Sequence, residues 1–228
     1  MHLIEVRDVY KIYNPGENQV NALDGVSITI DEGEFVAIIG QSGSGKSTLM
    51  NMLGLLDTPT HGEYYINGKL VDDLTDDQMS VIRNEEIGFI FQGFNLISSL
   101  SALENVELPL VYRGMPKQER REISQQALER VGLGSRIHHL PAEMSGGQQQ
   151  RVAVARAIAA KPPVILADEP TGNLDSKTTI EVMDLIKQLV YTKKQTLVMV
   201  THDANVAKYS DITVNISDGR ITSKKYNS

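Results

Sequence analysis

Short, continuous apolar runs recur along the chain and are separated by segments with helical spacing. Runs of this length are typical of strands in parallel sheets that are buried on both faces. The runs are Phe35–Ile39, Ile87–Phe91, Val164–Ala167 and Thr196–Val200. The helical segments between them include Leu49–Leu53, Gln148–Lys161 and Thr178–Tyr191. Strands that alternate with helices predict an α/β fold with a parallel sheet covered on both faces.

The first part of the chain follows a different, strand-rich pattern. Leu3–Tyr13 and Ala22–Ile30 are predicted strands, the second with Val26, Ile28 and Ile30 alternating. His61–Gly68 predicts a further strand that ends in an Asn-Gly turn. A strand is also predicted near Ile212–Ile216, whereas the polar residues Ser223–Ser228 are predicted to fray.

The middle of the chain, about residues 95–150, predicts a small helical lobe. Before this lobe, Thr75 begins a capping-box pattern, and within it Ser101 begins another. The helix that follows Ser101 is predicted either to bend at Pro109 or to tolerate it near the helix start. Lys117–Val131 is charged and amphipathic, with Gly132 following it. The charges of this lobe are interpreted as a solvated helix face.

Composition excludes several classes of protein and favours no other by itself. The 228 residues include no cysteine, which excludes disulfides, thiolate zinc sites and a cysteine nucleophile. There is no signal-peptide core at the start and no run near the ~20 apolar residues of a membrane span. We therefore expect a soluble chain whose membrane role, if any, comes through a partner. The net charge of −7 argues against nucleic acid as the main partner.

The strongest chemical signal is a glycine-rich segment between a predicted strand and a predicted helix. It matches the phosphate-binding pattern G-x-x-x-x-G-K-[ST]. The glycines allow backbone N–H groups to face phosphate oxygens, and the following helix adds its positive end. Lys46 is predicted to reach the β- and γ-phosphates, and the Ser47 hydroxyl to bind Mg²⁺. The predicted nucleotide-binding residues here are Gly40, Ser42, Gly43, Ser44, Gly45, Lys46, Ser47 and Thr48.

Polar side chains follow three other predicted strands. Asp168 and Glu169 end one buried strand, at the edge where ligands bind in open α/β sheets. Asp168 is predicted to hold Mg²⁺ or a water bound to it, and Glu169 to orient or deprotonate the attacking water. His202 and Gln92 follow two further strands. His202 is predicted to contact the γ-phosphate. Gln92 is predicted to reach both Mg²⁺ and the attacking water.

Ser145-Gly146-Gly147-Gln148 opens a helix and forms a second predicted anion site. One nucleotide does not need two helix N-termini from distant segments. We therefore expect this element to serve a nucleotide held by another subunit, so that a two-fold dimer contains two shared sites. The alternative interpretation is an ordinary N-cap with a glycine-rich lead.

Together these motifs resemble those of an ABC-type ATPase, the nucleotide-binding subunit of an ABC transporter. The matches are the Walker A motif at Gly40–Ser47, the Q-loop at Gln92, the signature motif at Met144–Gln148 with Met in place of the usual Leu, the Walker B motif with its catalytic glutamate at Val164–Glu169, the D-loop at Asn173–Asp175 and the H-loop at His202. The resemblance implies that Lys46 takes part in catalysis and that Asp175 contacts the nucleotide. It also implies an aromatic residue stacked on adenine, for which Tyr13 fits better than Tyr10.

The resemblance further implies a P-loop NTPase core of RecA-like type, with a mostly parallel sheet, an N-terminal antiparallel β subdomain and an ABC-type helical subdomain. The expected parts are residues 1–94, 95–150 and 151–228. ATP and Mg²⁺ are the implied cofactors. The segments 75–83, 89–96 and 169–176 resemble the MacB/LolD-type group, whose members export peptides, antibiotics or lipid-linked cargo, or transmit mechanical force.

We accordingly expect a homodimer in the ATP-bound state, a permease on a separate polypeptide, and a location at the cytoplasmic face of the membrane through that permease. Two alternatives remain open at this point. One is a soluble ABC ATPase of DNA repair or translation, which typically carries coiled-coil or zinc-bearing insertions, or tandem cassettes. The other is a nucleotide switch without turnover, which the presence of Glu169 and His202 disfavours.

Overall fold

The computed structural model describes residues 2–16 and 18–227. The strands are β1 Ile4–Tyr13, β2 Val20–Ile30, β3 Phe35–Ile39, β4 His61–Ile66, β5 Lys69–Leu70, β6 Ile87–Phe91, β7 Val164–Asp168, β8 Thr196–Thr201, β9 Ile212–Ser217 and β10 Arg220–Tyr226. The α-helices are α1 Lys46–Leu53, α2 Asp76–Glu86, α3 Ala102–Tyr112, α4 Lys117–Arg130, α5 Gly146–Ala159, α6 Ser176–Lys193 and α7 Ala204–Ala207. Three 3₁₀ helices span Val71–Asp73, Gly134–Arg136 and Pro141–Glu143.

The chain divides into two compact units, Met1–Arg83 with Lys194–Ser228 and Asn84–Lys193. The first unit contains an antiparallel sheet with the order β2-β1-β4-β5. In β2, Val26, Ile28 and Ile30 are buried while Ser27 is exposed, which confirms the alternation in the sequence. Asn67 and Gly68 both have positive φ, 49° and 73°, as the tight turn between β4 and β5 requires.

The first unit also contains a group of strands around β3. This strand pairs in parallel with β8 and with β9, and β10 pairs antiparallel with β9. Every residue of β8 is buried, as are Phe35–Ile38 of β3. Strands whose interior positions are all apolar fit a parallel arrangement in which neither face meets water.

The prediction that the chain frays from Ser223 onward was wrong. Residues 223–226 belong to β10, where Ser223 pairs with Asn215 and Tyr226 with Ile212, while Ser228 lies outside the described residues. Along β10 the side chains are mostly exposed, so the strand carries no apolar alternation. It forms instead because the turn at Asp218-Gly219 returns the chain along β9, with Asp218 and Gly219 at φ 50° and 73°.

The second unit combines the parallel pair β6 and β7 with helices α3 to α6. Ser101 caps α3 through a complete capping box with Glu104, as its sequence predicts. Pro109 lies in the second half of α3, not near its start, and the helix continues to Tyr112. The carbonyl of Pro109 accepts from Arg113 N and from Asn84 Nδ2. Gly132, at φ 76°, follows α4 in the left-handed conformation expected after a helix end.

The α1 helix is anchored at its C-terminal end by a buried tyrosine. Tyr64 of β4 has no exposed surface, and its hydroxyl donates to Leu53 O at 2.8 Å. Burial raises the pKa of Tyr64, which keeps the hydroxyl protonated and able to donate. This hydrogen bond connects the antiparallel sheet to the helix that begins at Lys46.

Replacing Tyr64 with Phe is expected to lower the free energy of unfolding by about 1–3 kcal/mol, because a buried carbonyl loses its donor. Urea unfolding followed by far-UV circular dichroism measures this. Tyr65→Phe is the matched control, since Tyr65 is only partly buried and its hydroxyl donates to Glu63 on the surface. Equal losses for the two variants would contradict the anchoring role of Tyr64.

Candidate functional site

The predicted phosphate loop lies between β3 and α1 in the first unit. Gly43 and Gly45 have φ values of 80° and 100°, and Gly45 is the residue before α1. Side chains are strained in this conformation, so the curl of the loop requires glycine at both positions. The first amides of α1 have no acceptor within the helix and carry its positive end, as an anion site requires.

The loop is also packed too closely for side chains at two positions. A Cβ at Gly40 would lie 2.3 Å from Ile216 O, and one at Gly45 would lie 2.5 Å from Ala22 O. On the other side, Gly219 N donates to Ser44 O at 3.0 Å, and Gly219 O accepts from Asp24 N at 2.9 Å. The β9–β10 turn therefore connects the loop to β2 through backbone hydrogen bonds.

Two polar groups of the loop have the properties of ligands for phosphate. Lys46 is 7% exposed, and its Nζ donates to Gly40 O at 2.8 Å and to Gln41 O at 2.6 Å. Ser44 Oγ is buried, and no residue in the described part of the chain hydrogen-bonds to it. A buried hydroxyl without a partner is unfavourable, and an anion oxygen would satisfy it. Ser42, Gly43 and Ser47 are exposed and Thr48 is half-buried.

Tyr13 ends β1 beside the α1 helix. The residue is 37% exposed, and its hydroxyl donates to Asp57 Oδ2 at 2.7 Å. Burial raises the pKa of the Tyr13 phenol, the bond to Asp57 raises it further, and a hydrogen bond with Thr48 opposes these effects. The contact with Thr48 lies next to the loop. Tyr10 lies elsewhere, beside Asp8, whose charge raises the Tyr10 pKa.

His202 follows β8 and is exposed. Because Thr201 pairs with Ile39, His202 and Gly40 each follow a paired residue at the same end of two adjacent parallel strands. The structure thus brings His202 to the edge of the first unit where the phosphate loop begins.

In the second unit, Gln92 and Asp168 lie at one strand edge because Phe91 pairs with Asp168. The Gln92 side chain packs against the turn after β7. Its Nε2 donates to Asn173 Oδ1 at 3.4 Å, and Asn173 Nδ2 donates to Gln92 O at 3.0 Å. A Cβ at Gly172 would lie 2.6 Å from Gln92 Nε2, so a side chain there would displace the end of the Gln92 side chain.

Glu169 has a φ of 43° in the left-handed region. A residue other than glycine held there is strained by about 1–3 kcal/mol, and such residues concentrate at functional sites. The turn is closed by Gly172 N, which donates to Glu169 O at 3.0 Å. Glu169 and Asp168 are both half-buried. The backbone therefore turns sharply at the carboxylate for which the sequence predicts a catalytic role.

The predicted second anion site forms the N-terminus of α5. Ser145 Oγ accepts from Gln148 N at 3.3 Å, and Ser145 N donates to Gln148 Oε1 at 3.0 Å, which completes a capping box. A Cβ at Gly147 would lie 2.4 Å from Thr178 Cγ2, whereas at Gly146 the nearest atom would be 3.5 Å away. The two glycines thus differ, since only the second is required by packing.

Asp175 of the predicted D-loop caps α6. Its carboxylate accepts from Thr178 Oγ1 at 2.6 Å and from the backbone N–H groups of Lys177 and Thr178. The Thr178 hydroxyl, followed by these amides, lowers the pKa of Asp175. The side chain therefore stabilises the start of α6, and its predicted contact with nucleotide stays a prediction.

Arg156 of α5 is a residue that sequence reasoning missed. Its guanidinium donates to Asn95 O and to Phe94 O, at 2.5 and 3.0 Å. Phe94 and Asn95, at φ 61° and 48°, are consecutive left-handed residues just after Gln92. Burial lowers the pKa of Arg156. A lone arginine within the apolar run Val152–Ala159 was the available signal, but its partners are about sixty residues away in the sequence.

Comparisons with known proteins agree with these motifs. The family model described as ABC transporter matches residues 23–172. The chain belongs to the ABC transporter family. It is 52% identical over 219 residues to an uncharacterized ABC transporter ATP-binding protein of Thermotoga maritima, covering 96% of this chain and 93% of that one. The Macrolide export ATP-binding/permease protein MacB of Hyphomonas neptunium is 52% identical over 225 residues, covering 99% of this chain but 35% of that protein.

Among solved structures, the dimeric post-hydrolysis state of the ATP-binding cassette MJ0796 with ADP and Pi matches with a TM-score of 0.90 and 47% identity, covering 99% of both chains. MJ0796 is a protein of Methanocaldococcus jannaschii. The match confirms the α/β cassette fold with parallel and antiparallel strands and helices. As a cassette of the ABC transporter family, the chain binds ATP and is an ATPase. In the described part of this cassette, no helix is long and apolar enough to cross a membrane.

Replacing Gly147 with Ala is expected to lower the free energy of unfolding by about 1–3 kcal/mol through the clash with the Thr178 methyl. Thr178→Ser removes that methyl and keeps the hydroxyl that donates to Asp175. The double variant Gly147→Ala, Thr178→Ser should therefore recover most of the stability lost in Gly147→Ala. Urea unfolding without nucleotide measures both. Gly146→Ala is the matched control and should be nearly neutral; a loss as large as that of Gly147→Ala would contradict the packing argument.

Proposed function

We propose that this cassette powers a membrane permease by cycles of ATP-driven dimerisation and hydrolysis. The observation that carries the proposal is the phosphate loop, in which the buried Ser44 hydroxyl has no hydrogen-bond partner among the described residues and the Lys46 ammonium donates to loop carbonyls. Phosphate oxygens satisfy the hydroxyl and draw the ammonium away from the carbonyls. Loop amides from Ser42 to Thr48 complete the binding of the triphosphate.

The donors assigned to Mg²⁺ are the oxygens of Ser47, Gln92 and Asp168, and hydroxyl, amide and carboxylate oxygens are the ligands that this hard ion prefers. Each of the three residues carries an oxygen that would suit Mg²⁺, and Ser47 is exposed. When bound, Mg²⁺ neutralises charge on the β- and γ-phosphate oxygens. Tyr13 stacks on adenine, with modest selectivity because every base offers a π-face.

Glu169 accepts a proton from the attacking water, whose oxygen forms a bond to the γ-phosphorus as the bond to the bridging oxygen of ADP breaks. His202 contacts the γ-phosphate, and Gln92 orients the water. The half-buried position of Glu169 and its strained backbone support this role. The constrained backbone fixes the position from which the carboxylate side chain extends.

A second copy of the chain completes each site through Ser145, Gly146, Gly147 and Gln148, with Asp175 at the same surface. The dimeric MJ0796 cassette supports this arrangement by resemblance. Binding of ATP favours the closed dimer because only that state makes both sets of contacts. Hydrolysis separates the γ-phosphate from ADP and thereby reopens the pair.

The segment from Gln92 to Asn105 transmits the change to a permease. Asn105 is fully buried, and its side chain hydrogen-bonds Ile97 N, Ile97 O, Leu100 O and Ser101 O, which restrains the second half of this segment. The resemblance to MacB supports export of an antibiotic, peptide or lipid-linked cargo, or force transmission, at the cytoplasmic face of the membrane. This chain spans about a third of the MacB relatives' length and nearly all of the Thermotoga protein.

Replacing Glu169 with Gln is expected to lower ATP turnover by about 10²- to 10⁴-fold, the usual contribution of a general base. ATP binding should persist, so the variant should elute as a dimer in gel filtration with ATP and as a monomer without it. Phosphate release and elution volume are the measurements. Adding Lys46→Ala to this variant is the control and should abolish the dimer. A normal rate for Glu169→Gln would rule out the catalytic assignment.

A further inference from the structure

Asp57, in the connection that follows α1, binds two residues of β1 with one carboxylate. Oδ2 accepts from the Tyr13 hydroxyl at 2.7 Å, and Oδ1 accepts from Lys11 Nζ. The same Nζ donates to Thr58 O at 2.8 Å, and Thr58 N donates to Asp57 Oδ1 at 2.9 Å. All four residues belong to the first unit, and together they form a closed network around the Tyr13 hydroxyl.

This network restrains the Tyr13 ring, together with the hydrogen bond between Tyr13 and Thr48. The hydrogen bond to Asp57 fixes the hydroxyl end, and Lys11 Nζ lies over the ring at 5.2 Å from its centroid. A lysine over an aromatic face is held there by the ring quadrupole. Lys11 lies over one face of the ring, and Tyr13 is 37% exposed, so part of the residue stays accessible for stacking.

The carboxylate is suited to this task at neutral pH. Burial acts to raise the pKa of Asp57, but hydrogen bonds from Lys11 and Tyr13 outweigh burial and hold the pKa below its ordinary value. Asp57 is therefore ionised, and its two oxygens accept from the phenol and the ammonium at once. The side chains of Lys11 and Asp57 are 14% and 28% exposed, which protects the pair from full screening by water.

We propose that Asp57 is a positioning residue for nucleotide binding: it fixes the Tyr13 ring, with Lys11 on one face, in the orientation that stacks on the base. The inference rests on the role of Tyr13 given under the proposed function. Asp57 itself touches neither the base nor the phosphates. Its contribution is that the ring is ordered before the nucleotide arrives, so that binding does not have to restrict the ring.

A purely structural role for Asp57 makes a different prediction. If it served only to attach β1 to the connection after α1, its loss would lower stability and would weaken all phosphate ligands alike. If it acts through Tyr13, its loss weakens a ligand with a base and leaves a ligand without one unchanged. Adenylyl imidodiphosphate, a non-hydrolysable ATP analogue, and inorganic tripolyphosphate form such a pair.

The affinity for adenylyl imidodiphosphate is measured by displacement of a fluorescent ATP analogue. The affinity for tripolyphosphate is measured by displacement of a fluorescent phosphate probe. Tyr13→Ala should weaken adenylyl imidodiphosphate about ten- to hundredfold, the usual range for loss of base stacking. Asp57→Ala should weaken it about three- to tenfold, since the ring remains but is no longer held. Neither variant should change tripolyphosphate affinity more than twofold. Asp184→Ala, at an exposed site on α6, is the matched control and should change neither affinity.

A double-mutant cycle tests whether Asp57 acts through the phenol. In a Tyr13→Phe chain the hydroxyl is absent, so adding Asp57→Ala should cost clearly less affinity than it does in the parent chain. The full loss in the Phe background, or equal weakening of both ligands by Asp57→Ala, would overturn the inference. The inference would also be overturned if Asp57→Ala left the affinity for adenylyl imidodiphosphate unchanged while Tyr13→Ala weakened it. If Tyr13→Ala changes nothing, the stacking role in the proposed function fails as well.

Discussion

Close backbone packing around the phosphate loop is the constraint on which the rest of the first unit depends. Gly40 and Gly45 lie against the carbonyls of Ile216 and Ala22, at distances where no side chain fits. The turn that ends β9 hydrogen-bonds the loop at Ser44 and β2 at Asp24. Chain segments nearly 200 residues apart thus meet at the loop, and its curl is fixed before any ligand binds, as a preorganised anion site requires.

The second unit uses the same physical device at its own functional positions. Gly172 admits the Gln92 side chain, and Gly147 admits the Thr178 methyl, each where a Cβ would collide. Polar side chains then stabilise the neighbouring segments. Asp175 caps α6, and Arg156 donates to the carbonyls of the strained Phe94-Asn95 pair. The residues predicted to act on ATP therefore depend on the packing and capping contacts of the segments around them.

The sequence predicted those features whose cause is local. Apolar runs located β3 and β8, alternation located β2, and the capping box located the start of α3. The last strand, β10, was missed because its side chains are mostly exposed and only the turn before it specifies the pairing. Arg156 and Asp57 were missed because their partners lie about sixty and forty-four residues away along the chain. The spacing of residues in a sequence does not indicate such contacts. Of the two alternatives for Pro109, a place near the helix start was wrong, because α3 already begins at Ala102.

The central claim is that two copies share each ATP, one through the phosphate loop and the other through Ser145–Gln148. Mixing two defective chains tests it directly, with Lys46→Ala in one, Ser145→Arg in the other and Glu169→Gln in both to prevent turnover. Trapped radiolabelled ATP is counted after rapid gel filtration. We predict that neither chain alone retains ATP and that the mixed dimer retains one, because one of its two sites has both parts intact. Retention by the mixture equal to the sum of the separate chains would contradict a shared site.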